Sequence, residues 1–211
     1  MTFYIDSADR ELIEELWPTG IFRGVTTNPT ILSRSGLGQD DLPALYTWLT
    51  DLGVDTFYAQ VLGTTADAML TSAARLLELG PVVVKVPATA AGFQVARKLV
   101  ADGVRVLLTA VYHPVQAVAA RDLGIQGVAP YVGRMTDAGR DGLGAVALMQ
   151  QAIGSEPTRI LAASLRSLDD VATLAAAGVP DFTLGASVAR ALVEDELTRR
   201  AVAEFEAAAA G

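Results

Sequence analysis

Short runs of apolar and β-branched residues recur along the whole chain, and each is followed by a stretch long enough for a helix. The runs that predict strands cover residues 3–6, 24–28, 55–62, 82–87, 104–112, 127–132, 159–164 and 181–185. Strands that alternate with helices pair in parallel, so the pattern indicates an α/β protein built from eight consecutive βα units.

Signals for the start and end of helices fall between these runs. Residues 64–67 (Thr-Thr-Ala-Asp) precede the periodic stretch 69–79, and residues 167–170 (Ser-Leu-Asp-Asp) precede the stretch 171–177. A hydroxyl side chain followed by an acidic residue commonly caps the first turn of a helix. Glycines stand where five helices are expected to end, at positions 80, 103, 124, 154 and 178.

Eight βα units within 211 residues predict a single domain, a closed (β/α)8 TIM barrel that spans residues 1–211. The alternative is an open doubly wound sheet, which usually carries a glycine-rich phosphate loop after its first strand. Residues 6–9 (Asp-Ser-Ala-Asp) lack that loop, which favours the barrel. Residues 194–211 predict an additional alanine-rich C-terminal helix, of the kind that often packs on a neighbouring subunit.

The charge and composition restrict the partners of such a barrel. A net charge of −8 repels nucleic acid and acidic lipid surfaces, so neither is expected to bind. The absence of cysteine excludes disulfides, thiolate metal sites and a cysteine nucleophile. Hydrophobic residues make up 51% of the chain and charged residues 19%, which indicates surface buried between subunits and hence a homo-oligomer.

The chain shows no sign of export or membrane insertion. No basic segment with a following apolar stretch comes after Met1, and no apolar run approaches the roughly 18 residues of a membrane span. We therefore expect a cytoplasmic protein.

Only two of the 16 lysine and arginine residues are lysines, Lys85 and Lys98. Lys85 lies within an apolar strand, residues 82–87, where burial disfavours the charged amine and leaves its lone pair available to attack a carbonyl. A guanidinium cannot do this because it stays protonated. The alternative is that Lys85 reaches water or pairs with a carboxylate. Lys98 lies on a predicted exposed helix face.

Polar residues near the C-terminal ends of other strands support a site around Lys85. In (β/α)8 barrels this face carries the active site. The residues are Asp6, Thr26, Asn28, Gln60, Thr109, Tyr131 and Ser164. One Thr or Ser at a strand end usually caps a helix, but six strand ends around a lysine predict a common site. Strand alternation places Lys85 on one face with Val83, and Thr109 on one face with Leu107.

Two arginines follow the strand ends and are expected at the rim. Arg134 comes three residues after Tyr131, and Arg166 comes two residues after Ser164. Two guanidinium groups and a serine suit a phosphate, although a surface salt bridge is the alternative for each arginine alone.

His113 is the sole histidine, and we expect it to be a loop or cap residue. No cluster of carboxylates has the spacing of metal ligands either, so no metal is expected.

Several segments together resemble the transaldolase family. They are Asp6, residues 24–30 (Gly-Val-Thr-Thr-Asn-Pro-Thr), residues 83–87 (Val-Val-Lys-Val-Pro), residues 129–134 (Ala-Pro-Tyr-Val-Gly-Arg) and residues 161–164 (Leu-Ala-Ala-Ser). The likeness runs from residue 3 to about residue 205. It implies a TIM barrel that is a class I aldolase, in which Lys85 forms a Schiff base with a ketone and no cofactor is used.

The family has two branches, transaldolases and the smaller fructose-6-phosphate aldolases. Transaldolases typically carry Glu on the third strand and Phe in the sixth-strand motif, whereas Gln60 and Tyr131 are similar to the aldolase branch. Gly133 and Arg166 look closer to transaldolases. The aldolase branch forms rings of five that stack into decamers, with C-terminal helices that reach across subunits, and the resemblance implies the same for residues 194–211.

The resemblance also implies a role for each site residue. Lys85 would attack the ketone of dihydroxyacetone or fructose 6-phosphate, and the iminium would accept electrons as a carbon–carbon bond breaks or forms. The other expected roles are proton transfer for Asp6, placement of a water for Tyr131, Gln60 and Thr109, binding of substrate hydroxyls for Thr26 and Asn28, and phosphate binding for Arg134, Ser164 and Arg166. The competing interpretations are a transaldolase, which transfers the dihydroxyacetone unit between sugar phosphates, and a non-catalytic barrel that binds sugar phosphate.

Overall fold

A computed structural model describes residues 1–154 and 157–210, and within them eight strands form a closed barrel. Each strand pairs in parallel with the next, and β8 pairs with β1. The strands are β1 (Thr2–Asp6), β2 (Phe22–Thr26), β3 (Thr56–Gln60), β4 (Val83–Pro87), β5 (Val106–Val111), β6 (Gly127–Pro130), β7 (Arg159–Ala162) and β8 (Asp181–Leu184). The predicted (β/α)8 barrel is confirmed, and the open doubly wound sheet is excluded.

Helices alternate with these strands and cover the outside of the barrel. In the described residues they are α1 (Arg10–Leu16), α2 (Pro29–Arg34), α3 (Leu42–Asp51), α4 (Ala66–Leu77), α5 (Ala90–Ala101), α6 (Pro114–Asp122), α7 (Val132–Asp137), α8 (Gly142–Ile153), α9 (Leu168–Ala176), α10 (Ala186–Val193) and α11 (Glu196–Ala209). None of these described helices is long and apolar enough to cross a bilayer.

The predicted helix signals are confirmed. Thr65 accepts a hydrogen bond from the backbone N–H of Ala68 at the start of α4, and Ser167 accepts one from Asp170 at the start of α9. The glycines at 80, 103, 124, 154 and 178 follow α4, α5, α6, α8 and α9 with positive φ angles. Glycine adopts this backbone conformation without steric cost, which lets each helix stop.

Four predicted strands, the second, third, sixth and seventh, run two residues too far at their C-terminal ends. Asn28 caps α2 with its side chain, which accepts hydrogen bonds from Thr30 and Ile31, so it lies outside β2. Tyr131 and Ser164 also lie outside β6 and β7, because the chain turns into α7 after Tyr131 and enters the left-handed region at Ser164, with φ of 59°. Some of the polar residues predicted at strand ends, Asn28, Tyr131 and Ser164, therefore belong to the βα loops that follow the strands.

Strand alternation divides the apolar residues between two layers. Val106 and Leu108 pack outward against the helices, within the large core cluster. Val83 and Leu107 face inward and pack in a smaller cluster in the barrel interior, with Tyr131 above them at its edge. Lys85 and Thr109 follow at the next inward positions of β4 and β5, as the sequence predicts, so they point into the barrel near its C-terminal end.

The C-terminal helix α11 differs from the others because none of its residues is buried. Leu197 is 72% exposed and Phe205 is 68% exposed. A predicted extra helix is thus present after the eighth unit. Its packing on a neighbouring subunit stays a prediction, and its exposed apolar side chains are compatible with such a contact.

Candidate active site

A cavity of about 700 Å³ opens at the C-terminal ends of the strands. Seven of the ten predicted site residues line it: Asp6, Asn28, Lys85, Tyr131, Arg134, Ser164 and Arg166. The structure thus brings together residues that are up to 160 positions apart in the chain (Asp6 to Arg166). The other three, Thr26, Gln60 and Thr109, do not line the cavity, and two of them contact residues that do.

Lys85 lies at the floor of this cavity and is 3% exposed. Its Nζ donates a hydrogen bond of 2.8 Å to the backbone carbonyl of Thr27, the residue after β2. Burial lowers the pKa of Lys85, and the negative charge of Asp6 partly opposes this by raising it. A larger fraction of the amine is therefore neutral at a given pH than for an exposed lysine, and a neutral amine can attack a carbonyl.

Asp6 is the last residue of β1 and lines the same cavity. Its Oδ1 accepts a hydrogen bond of 2.5 Å from the hydroxyl of Thr26, which also lies 2.5 Å from the hydroxyl of Thr183. Burial raises the pKa of Asp6, whereas Lys85 and the Thr26 hydroxyl lower it. A carboxyl group whose pKa is raised by burial holds a proton more readily than an exposed one, so Asp6 can accept and return a proton during a reaction.

Tyr131 caps the barrel interior next to this pair. Its phenol oxygen is 2.9 Å from the Thr109 hydroxyl, and its ring meets that of Tyr112 edge to face at 5.9 Å. Burial raises the pKa of Tyr131, so the phenol keeps its proton and can donate it. After Thr109 the backbone of Ala110 has a φ of 55° and the register of β5 with β6 shifts, so that Ala110 also packs against the inner cluster while Val111 packs in the outer core.

Gln60 ends β3 directly beside Lys85 in the strand register. It shares the inward face of β3 with Tyr58, since the two are separated by one residue. Gln60 does not line the cavity, so the predicted contact between its amide and a cavity water remains a prediction.

The rim of the cavity is cationic on the side of α7. The guanidinium carbon of Arg134 lies 4.8 Å from the centroid of the Tyr131 ring. Arg166 donates a hydrogen bond of 2.5 Å to the carboxylate of Asp137. Ser164 lines the same cavity as the two arginines, and its left-handed backbone is unusual for a residue with a side chain. Such strain is often found where a side chain must face a ligand.

Six polar residues of the lining were not predicted as site residues: Ser7, Thr30, Arg34, Ser35, Asp137 and Ser187. Ser187 lies in the first turn of α10, three residues after β8, which is the kind of position that singled out Ser164. The eighth predicted strand had no polar end residue, so this signal was missed. The Thr27 carbonyl that binds Lys85 belongs to the backbone, and no side-chain pattern reveals such a group.

His113 caps α6 by accepting a hydrogen bond of 3.2 Å from Val115, as expected for a loop or cap residue. Across residues 1–154 and 157–210, no three His, Cys, Asp or Glu side chains come together in a way that could hold a metal ion.

Solved structures with a similar fold include enzymes of unrelated chemistry. A mandelate oxidase variant with an FMN adduct matches with a TM-score of 0.62 and 16% identity, over 90% of this chain and 67% of that one. Thiamine phosphate pyrophosphorylase from Pyrococcus furiosus matches with a TM-score of 0.57 and 16% identity, over 89% of this chain and 87% of that one. At this identity the likeness extends to the barrel fold alone.

Relatives in sequence are more informative. A probable transaldolase from Rhodospirillum centenum is 35% identical over 98% of this chain and 90% of its own length. A probable transaldolase from Exiguobacterium sibiricum is 33% identical over 97% of this chain and 96% of its own. The profile of the family described as Transaldolase/Fructose-6-phosphate aldolase matches residues 3–210. With the barrel and nearly the whole of its length matched, the chain belongs to the transaldolase/fructose-6-phosphate aldolase family.

Proposed function

We propose that this protein is a class I aldolase that cleaves or forms fructose 6-phosphate, with dihydroxyacetone and glyceraldehyde 3-phosphate as the two products or substrates. The observation that carries the proposal is the position of Lys85, a buried amine with a lowered pKa in a polar cavity that Asp6 also lines. A carbonyl that enters the cavity meets a nucleophile and a proton acceptor together.

In the cleavage direction, Nζ of Lys85 attacks the ketone carbon and the carbonyl oxygen leaves as water, which gives an iminium. Asp6 takes the proton of the hydroxyl on C4 as the C3–C4 bond breaks, and glyceraldehyde 3-phosphate leaves. The electron pair of that bond moves toward the iminium and forms an enamine on Lys85. Protonation of the enamine at C3 and hydrolysis of the resulting iminium release dihydroxyacetone and restore the amine.

The remaining residues near Lys85 would assist proton transfer. Tyr131 would hold the water that protonates the enamine, with Thr109 orienting its phenol. Gln60 would support that water from β3. Thr26 would act through Asp6, to which it is bonded, rather than on the substrate directly.

The far end of the aldehyde carries a phosphate, for which the rim offers Arg134, Ser164 and Arg166. Guanidinium groups bind phosphate oxygens in pairs, so two arginines on one rim suit a dianion. The Oδ1 of Asn28 accepts hydrogen bonds from the start of α2, so its amide N–H groups are the part that would donate to substrate hydroxyls. The partners are thus small ketones, aldehydes and sugar phosphates.

A transaldolase is the second candidate. Its support is the name of the relatives, which are called probable transaldolases, and the presence of Gly133 and Arg166. Gln60 and Tyr131 favour the aldolase. The two activities differ in the fate of the enamine, which an aldolase protonates and a transaldolase passes to a second aldehyde. A barrel that only binds sugar phosphate would have no use for the buried pair of Lys85 and Asp6.

Two measurements test the proposal. Borohydride reduction with dihydroxyacetone, followed by peptide mass spectrometry, should place the added mass on Lys85 and not on Lys98. A coupled assay should then detect glyceraldehyde 3-phosphate from fructose 6-phosphate without any acceptor aldehyde. No adduct on Lys85 would reject the Schiff base. If the adduct forms but dihydroxyacetone is not released, and the dihydroxyacetone unit is transferred once an acceptor aldehyde is added, the protein is a transaldolase.

A further inference from the structure

We propose that Gly133 and Asp137 are positioning residues that fix the guanidinium of Arg166 for the substrate phosphate, and that they set the preference of this site for phosphorylated aldehydes. The proposal rests on the proposed function for the identity of the aldehyde. It concerns two residues to which the reaction itself gives no part.

Arg166 is held at two points. Its backbone N–H donates a hydrogen bond of 2.8 Å to Asp170 at the start of α9. Its Nη2 donates to Oδ2 of Asp137, the last residue of α7. The side chain therefore spans from the loop after β7 to α7, across the rim of the cavity. Arg134 lies on the same short helix and is restrained by the Tyr131 ring.

Gly133 leaves the space that Arg166 occupies. A Cβ at position 133 would lie 2.6 Å from Nε of Arg166 and 2.4 Å from the carbonyl oxygen of Ser164. Cβ atoms essentially never approach other atoms this closely, and that carbonyl already accepts a hydrogen bond of 2.8 Å from the N–H of Gly133. Any side chain at 133 must displace both the guanidinium and the backbone at Ser164, and so two phosphate-binding groups together.

The ion pair of Arg166 and Asp137 is solvent-exposed, with the two side chains 59% and 63% accessible. Exposed pairs add little to folding stability, because water screens them and two long side chains lose freedom. The ion pair instead restricts the flexible side chain of Arg166 to one orientation above Gly133. A guanidinium that is ordered before binding loses less conformational freedom when a phosphate arrives. An unphosphorylated aldehyde has no phosphate for the ordered guanidinium to bind. The ordering of Arg166 therefore favours phosphorylated over unphosphorylated aldehydes.

The test compares D-glyceraldehyde 3-phosphate with D-glyceraldehyde as the aldehyde added to dihydroxyacetone. For Asp137→Asn we expect the ratio of the two kcat/KM values to fall about fivefold or more, through a higher KM for the phosphorylated aldehyde. Gly133→Ala should act in the same direction, and Asp137→Glu should restore part of the ratio. Asp102→Asn is the matched control, since it breaks a similarly exposed ion pair, with Lys98, at the end of α5, and Asp102 does not line the cavity.

A second readout does not depend on catalysis. Calorimetric titration with inorganic phosphate should give a higher Kd for Asp137→Asn than for the parent and for Asp102→Asn. In a variant that already carries Arg166→Ala, the addition of Asp137→Asn should not change the Kd for phosphate further. An unchanged or higher preference for the phosphorylated aldehyde, or tighter phosphate binding, would overturn the proposal. If the parent formed no adduct with dihydroxyacetone, the proposed function would fail. The phosphate titration would still test whether Asp137 positions Arg166 for phosphate.

Discussion

The phenol oxygen of Tyr131 lies 2.9 Å from the hydroxyl of Thr109, and this contact orients the one buried phenol on the cavity lining among the described residues. Tyr131→Phe should suppress cleavage of fructose 6-phosphate by about 10²–10⁴-fold, the range for loss of a proton-transfer group. Transfer of the dihydroxyacetone unit to an added aldehyde should fall less, because it does not need protonation of the enamine. The two rates are measured in coupled assays with and without an acceptor.

Tyr112→Phe is the control for this change, because the Tyr112 ring contacts Tyr131 edge to face and its hydroxyl has no assigned part. It should leave the ratio of cleavage to transfer at the parent value. Parent-level cleavage by Tyr131→Phe would show that the phenol does not serve the proton transfer.

The pH dependence of Schiff-base formation should report the electrostatics of Lys85 and Asp6. Burial lowers the pKa of Lys85, so borohydride-trapped adduct should form at half its maximal rate below the usual pKa of a lysine. Asp6→Asn removes the charge that raises the pKa of Lys85, so the midpoint should move to still lower pH. Trapping rates with dihydroxyacetone over a pH series measure both midpoints, and an upward shift in Asp6→Asn would contradict this assignment.

The hydroxyl of Thr26 should tune Asp6. Thr26→Val removes the hydrogen bond that lowers the pKa of Asp6, so the acid limb of kcat/KM for cleavage should move to higher pH. Loss of the buried contact should also reduce the free energy of unfolding by about 1–3 kcal/mol, as measured by urea denaturation.

Thr27→Val separates these two effects. Its hydroxyl donates a hydrogen bond of 2.9 Å to the carbonyl of Tyr58 and is equally buried, but it does not contact Asp6. We expect a similar loss of stability and an unshifted acid limb. The same limb shift in both variants would mean that the shift reflects general loosening of β2.

The exposed apolar side of α11 should mediate subunit contact. Leu197→Asp combined with Phe205→Asp places charge on that side, and sedimentation velocity should then show a smaller species than the parent. Ala203→Asp adds a charge on the other side of the same helix and should keep the parent size. A parent that sediments as a monomer at micromolar concentration would refute the predicted pentamer or decamer.

The sequence was sufficient to predict the barrel because its pattern is repeated eight times. Each predicted strand overlaps an observed one, and inward positions such as those of Lys85 and Thr109 follow from simple alternation. Errors of up to two residues occur at strand ends, where Asn28 and Ser164 are polar residues of the loops. Local pattern cannot separate the last residue of a strand from the first of a loop, since both precede the same helix.

The part of the site that the sequence missed depends on backbone and on tertiary contacts. The carbonyl of Thr27 binds Lys85 only because β2 and β4 lie on either side of β3 in the closed barrel. Asp137 was unremarked because an acidic residue in a helix is usually solvated, and its contact with Arg166 joins two separate βα loops. Neither relationship has a local signature in the chain.

The alternation of strands and antiparallel helices also separates the two lysines in space. Lys98 lies in the last turn of α5, at the face of the barrel opposite the cavity, with its side chain 59% accessible, whereas Lys85 is shielded. Of the two lysine side chains, amine-directed coupling chemistry should therefore reach that of Lys98 first. Attachment to a resin or sensor chip through that residue would leave the cavity pointing away from the support and open to diffusing sugars.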